Sequence, residues 1–153
     1  MRKKYVQLPE MPVATRESRK LPTTSQGAAP EKALSAASGS GFVAFSPLAQ
    51  GLLTGRYLDG IPQDSRMAAG RSLQREVLTD AMLERLRALN DIARQRGQTL
   101  AEMALAWLLR DKRVTSVIVG ASSAAQIEDN LRALENASFS DDELARIDAL
   151  SRE

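Results

Sequence analysis

Phe42-Val43-Ala44-Phe45-Ser46-Pro47-Leu48-Ala49-Gln50-Gly51-Leu52-Leu53-Thr54-Gly55 is the stretch from which the fold is read. Its first four residues are a short apolar run, bounded by Ser-Pro and then by glycines, which is the pattern of a buried strand that opens into a tight loop. A second unit of the same kind lies far downstream, where Val114-Thr115-Ser116-Val117-Ile118-Val119 runs into Gly120-Ala121-Ser122. The chain therefore carries two strand-to-loop mouths separated by helical sequence, an arrangement suited to one anionic ligand held between them.

The intervening and following segments carry their own start and stop signals. Thr79 and Asp80 open an amphipathic helix with Leu83, Leu86, Leu89 and Ile92 on one face, and Gly97 stands where a left-handed residue would end it. Thr99 and Glu102 have capping-box spacing at the head of a second helix, apolar nearly all round from Leu100 to Leu109, which predicts packing between a sheet and neighbouring helices with Trp107 in the core. Ser123 with Gln126, and Ser140 with Glu143, repeat that spacing. The first of these heads a helix expected to bury Ile127, Leu131 and Leu134; the second, with Phe139 and Leu144 at staple positions, heads one carrying Leu144, Ile147 and Leu150. Strand, helix, helix, strand, helix, helix is an α/β order with parallel strands.

Composition excludes whole classes of chemistry. The 153 residues include no His and no Cys, which removes imidazole bases, Cys nucleophiles, His or Cys metal sites and disulfides. No apolar run approaches the roughly 20 residues of a membrane span, so a cytoplasmic protein that does not span a membrane is expected. Residues 1 to 20 hold six Lys and Arg against two Glu, and the other 133 hold 15 basic against 17 acidic residues, so the folded part is not a basic nucleic-acid reader. Residues 1–40 contain four of the six prolines and neither helical nor strand periodicity, and are expected to form a disordered, low-complexity tail. Their basic start lacks the apolar core of a secretory signal. Residues 41–153 form the expected folded domain.

Each mouth places backbone N–H groups and a hydroxyl, Ser46 or Ser122, just past the carboxyl end of a strand. The second leads into a helix N-terminus, where unpaired amides favour an anion by about 0.3 to 1 kcal/mol. Gly51, Gly55, Gly120 and Ala121 are small enough for a ligand to approach the backbone closely. Taken singly, Ser122, Ser123 and Gln126 also suit plain capping, Asn130 a solvated helix position, and Arg56 and Arg66 surface charge.

Residues 45–57, and Gly120-Ala121-Ser122 through Gln126, Asp129 and Asn130, resemble aldo-keto reductases over the span from about Gly41 to the C-terminus. The branch most similar holds bacterial glyceraldehyde-3-phosphate reductases and is related to the β-subunits of voltage-gated potassium channels; Ile61-Pro62-Gln63-Asp64-Ser65-Arg66-Met67 resembles its loop after the first motif. The resemblance implies a parallel (β/α)8 TIM barrel that reduces aldehydes and ketones with NADPH bound across the loops after its last two strands. It implies that Ser46, Pro47, Leu48, Ala49 and Gln50 line the pyrophosphate and ribose, that Arg56 takes a place usually held by Lys, and that Arg66 lies on the loop over the cofactor. Gly120, Ser122 and Gln126 would surround the adenosine 2′-phosphate. Asp129 and Asn130 would stand for a Glu-Asn pair on the adenine, with Asp129 one methylene shorter.

The family's catalytic Tyr, Lys, Asp and His come from earlier strands, and no catalytic residue is assigned in this chain. Lys112 is the sole Lys after Gly41, and the tyrosines are Tyr5 and Tyr57, the latter a loop anchor. A complete barrel takes about 250 residues and eight strands, whereas residues 41–153 supply 113 residues and two clear strands. The expectation is a C-terminal fragment of the barrel that keeps the NADP(H) loops and is inactive alone, with flanks prone to self-association. Three readings stay open: a reductase completed by another polypeptide, a non-catalytic nucleotide-binding or interaction module, and a relic without function.

Overall fold

Local chemistry sets where each helix begins and ends. The computed structural model describes residues 42–63, 65, 77–112 and 114–151; the expected tail, Gly41 and Arg66 lie outside the described residues. Strand β1 spans Phe42–Phe45, and a 3-10 turn follows at Ala49–Thr54. Helices α1 (Asp80–Gln95) and α2 (Leu100–Leu109) lead to strand β2 (Val114–Ile118), then α3 (Ala124–Leu131), a short 3-10 turn at Arg132–Leu134, and α4 (Asp141–Ser151).

The Thr79 hydroxyl accepts from the Met82 N–H at the start of α1. At its end Gly97, with φ +69°, lets its own N–H reach the Arg94 carbonyl and that of Gln98 reach Ala93, the paired bonds of a Schellman motif. Thr99 with Glu102 and Ser140 with Glu143 form reciprocal capping boxes, as their spacing predicts. At α3 the box is displaced. Ser123 Oγ accepts from the Gln126 N–H, but the Gln126 side chain reaches back to Ser122 instead of Ser123.

β1 and β2 pair in parallel, with Val43 opposite Ser116, Ala44 opposite Val117 and Phe45 opposite Ile118. The register shifts between Phe42, opposite Val114, and Val43, so β2 carries one extra residue there. That bulge lets Val114 and Val117, an odd number of residues apart, both turn toward Ala44 and Leu108.

The core is organised around α2. Leu100 and Met103 join Leu86, Leu89, Ile92, Leu52, Leu53 and Tyr57; Leu108 joins Ala44 and Val114; Leu105 and Ala106 join Ala133. Trp107 is half-buried and packs against both of the first two groups, with the Arg110 guanidinium 3.9 Å above its ring.

Two burial expectations are corrected. The strands are covered on one face only: Val43, Phe45 and Ile118 are 40%, 57% and 53% exposed, because the helices of the described residues pack against the Ala44 side alone. Likewise Ile127, Leu131 and Leu134 are exposed, and α3 buries none of its residues. Their helical spacing makes a proper apolar stripe, but no described element packs on it.

Arg96 ties α1 to the segment before α4. Its nearly buried guanidinium pairs with Glu143 at 2.8 Å, donates to Gln98 Oε1 and to the carbonyls of Asn136 and Ser138, and stacks 3.7 Å from the Phe139 centroid. Asn136 Nδ2 returns a bond to the Arg96 carbonyl. Arg96→Ala therefore strands several polar groups at once and is expected to cost about 3 kcal/mol in urea unfolding. Arg132→Ala, which removes an exposed pair with Asp129 and a longer contact to Glu102 whose carboxylate keeps its capping bond to Thr99, should cost about 0 to 1 kcal/mol.

The Ser140 backbone N–H, and then Arg96, hold the Glu143 carboxyl below its ordinary value of 4.5. A carboxylate whose folded pKa is depressed stabilises the fold above its unfolded value, and that contribution is lost as pH falls through the folded value. The midpoint of thermal unfolding should thus drop on acidification below about pH 4. Glu143→Gln should lower the midpoint at neutral pH and flatten this acid limb.

Candidate functional site

Parallel pairing decides where the two loops emerge. Phe45 and Ile118 are register partners at the carboxyl ends of their strands, so Ser46 and Val119 leave the same edge of the sheet side by side, about 5 Å apart in strand spacing. The candidate residues Ser46 to Gln50 and Gly120 to Ser122 are brought to one end of the fold.

The first loop is built from backbone in an uncommon conformation. Ser46, Ala49 and Gln50 have φ of 53°, 47° and 58°, in the left-handed region that non-glycine residues seldom occupy, and Gly51 and Gly55 follow at 100° and 76°. Each such non-glycine residue costs on the order of 1 kcal/mol and persists only where its surroundings over-determine it. Here the Ala49 N–H donates to the Ser46 carbonyl, the Gly51 and Leu53 N–H groups both donate to that of Leu48, and Thr54 Oγ1 donates to that of Gly51. Leu52, Leu53 and Tyr57 are buried beneath, which makes Tyr57 the anchor expected of it. Pro47 and Ala49 are buried and Leu48 packs partly into the core, so these positions offer a ligand main chain more than side chain. Ser46 and Gln50 are half-buried, and Arg56 is exposed just after the turn.

The second loop is held differently. Ser122 donates its backbone N–H, at 2.8 Å, and its Oγ, at 3.2 Å, to one acceptor, Oε1 of Gln126. Gly120, Ser122, Gln126 and Asp129 are exposed and Asn130 is half-buried. The Asp129 carboxylate is engaged by Arg132 at 2.7 Å, and Arg132 also lies 3.9 Å from Glu102. This partner was not anticipated from the sequence, although the i, i+3 spacing of opposite charges carries the signal. Among the described residues no group of three or more His, Cys, Asp or Glu is placed to hold a metal ion, and no helix is long and apolar enough to cross a membrane.

Residues 30–152 match the model of the aldo/keto reductase family. The chain belongs to the aldo/keto reductase family. It is 60% identical over 114 residues to an L-glyceraldehyde 3-phosphate reductase of Escherichia coli O157:H7, covering 72% of this chain and 33% of that protein. It is 42% identical over 100 residues to a probable voltage-gated potassium channel subunit beta of Arabidopsis thaliana, covering 63% of this chain and 30% of that one. A putative subunit beta of Schizosaccharomyces pombe is 41% identical over 101 residues. The chain spans about a third of the length of these relatives. Family membership implies a (β/α)8 barrel, and the parallel strand pair with its helices is consistent with part of one.

Substitution at the glycines separates backbone strain from contact. A Cβ on Gly51 would meet Tyr57 Cε2 at an unremarkable 3.9 Å, so Gly51→Ala should be destabilising by about 1 to 2 kcal/mol through its left-handed φ alone. Gly120→Ala has open space and should stay within about 0.5 kcal/mol of the parent in the same urea titration.

Proposed function

We propose that this chain is the NADP(H)-binding part of a cytoplasmic aldo/keto reductase, a C-terminal portion of the barrel whose domain begins near Gly41, and that it does not reduce a carbonyl by itself. One observation carries the reading: the parallel register of β1 and β2 sets side by side the two loops that, by family resemblance, flank the dinucleotide.

The donor set suits an anion. Ser122 N–H and Oγ already converge on an oxygen, that of Gln126, at the head of α3. A phosphate oxygen in that place would take the same two donors, aided by the helix N-terminus by about 0.3 to 1 kcal/mol. Ser46 to Gln50 would present main-chain groups to the pyrophosphate and ribose, and Gly120 lets the backbone approach. Arg56 and Arg66 would supply positive charge, the latter from outside the described residues. Asp129 would have to leave Arg132 to reach an adenine, so Asn130 carries that contact more readily. The cofactor, when bound, supplies the hydride for reduction of an aldehyde or ketone. No proton donor is assigned among the described residues: the chain has no His, and Tyr57, at 2% exposure, is buried against the core. Without a general acid a reduction forfeits about 10² to 10⁴ in rate.

Titration of the purified chain with NADPH, followed by nucleotide fluorescence, should give saturable binding, with no carbonyl-dependent loss of absorbance. Ser122→Asp places a negative charge at the proposed phosphate position and should weaken binding at least about tenfold, or 1.4 kcal/mol, with circular dichroism unchanged. Absence of any saturable signal, or turnover by the single chain, would overturn the proposal.

A further inference from the structure

Arg132 stands between two carboxylates on neighbouring helices. Its Nη1 lies 2.7 Å from Oδ1 of Asp129, on α3, and 3.9 Å from Oε1 of Glu102, on α2. The Glu102 side chain is nearly buried, and its other oxygen is committed to the Thr99 N–H at 2.8 Å. Packing delivers the guanidinium to it. Ala133, fully buried, rests on Leu105 and Ala106, which follow Glu102 by three and four residues and so share its face of α2. An isolated exposed pair is readily lost to water, but the cation that holds Asp129 is also drawn toward Glu102 and seated by the Ala133 contact.

Asp129 follows Gln126 by three residues on α3, so the two are neighbours on one helix face, with Cβ atoms about 5 to 6 Å apart; Glu128, two residues on, does not share that face. Oε1 of Gln126 is the point on which the Ser122 N–H and hydroxyl converge. A bare carboxylate one helical turn from that point repels an anion placed there. A carboxylate met at 2.7 Å by a guanidinium does not.

On the reading of Ser122 and Gln126 as the 2′-phosphate position, we propose that Arg132 is a positioning residue that sets the preference for the phosphorylated nucleotide. It cancels the Asp129 charge and draws that side chain toward the end of α3 remote from Ser122. The effect scales with ligand charge. A phosphate monoester carries about 1.5 to 2 negative charges at neutral pH, so uncovering a carboxylate about 8 Å away should weaken its binding about threefold to fivefold at low salt and much less at about 1 M. A nucleotide without that phosphate should be affected far less.

The test compares NADPH with NADH, which differ by the 2′-phosphate, in fluorescence titrations of the full chain. In Arg132→Ala the ratio of NADPH to NADH affinity should fall about threefold to fivefold at low salt, and the loss should shrink at about 1 M salt. Asp129→Asn alone should not lower the ratio, and adding it to Arg132→Ala should return the ratio to that of the parent. Damage to the fold would weaken both nucleotides alike and would not be rescued by the amide, so the ratio isolates the charge effect. An unchanged ratio in Arg132→Ala, a loss that persists in the double variant, or a fall in Asp129→Asn alone would overturn the role of Arg132 while leaving the nucleotide site standing. A parent chain that binds neither nucleotide would overturn both.

Discussion

Every packed layer of the described fold meets at α2. The helix is apolar on nearly all sides, and each side has a separate client: Leu100 and Met103 face α1 and the first loop, Leu108 faces the strand pair, and Leu105 and Ala106 face Ala133. Burying a Leu or Met side chain is worth about 1.5 to 3 kcal/mol, so these contacts outweigh any single polar clasp on the surface. They also fix relative position. Ala44 and Val114 rest on Leu108, while Leu52 and Leu53 rest on the α1–α2 core, so the first loop is located by the same helix that locates its strand. Once the strands are seated there in parallel, both loops must leave from one edge.

What was legible in the sequence is what local chemistry determines. Thr79, Thr99 and Ser140 mark helix starts because an N-cap hydroxyl satisfies an amide only a few residues away, and Gly97 marks an end because only a left-handed residue closes the Schellman bonds. The strand-to-loop units were legible because apolar runs cut by Ser-Pro and Gly admit few alternatives. The Arg96 clasp was not, since its partners Asn136, Ser138 and Glu143 lie some 40 residues away and no periodicity links them. The bulge that turns Val114 and Val117 to the same side was also hidden, as β2 alone shows no alternation to betray it. The apolar stripe on α3 is legible in the sequence but its exposure is not, because periodicity names a face without naming its partner.

The candidate site divides along the same line. Gly51 and Gly55 announced a turn, whereas nothing in Ser46, Ala49 or Gln50 announces a positive φ; that conformation is imposed by the buried residues beneath the loop. The likeness to reductases located the second loop's residues, yet the bond from Ser122 to Gln126 and the pairing of Asp129 with Arg132 emerge only with coordinates. Arg66 lies outside the described residues and takes its place from resemblance alone.

The two loops differ in how much they must change to receive a ligand. The first is strained but fixed, with its hydrogen bonds made internally and its apolar side chains buried, so its conformational cost is already met in the folded state and the proposed ligand would find it preorganised. The second is held by bonds between exposed groups, worth about 0.5 to 1.5 kcal/mol net. For a phosphate to take the Ser122 donors, Gln126 must release them, and water can meet the freed amide. Bonds from the same donors to a charged oxygen are worth about 1.5 to 3 kcal/mol, so the exchange favours the anion over the amide. A neutral hydroxyl in that position would gain almost nothing over Gln126. On the proposed function, discrimination between phosphorylated and unphosphorylated nucleotide would follow from a side chain that occupies the site with an oxygen of lower charge.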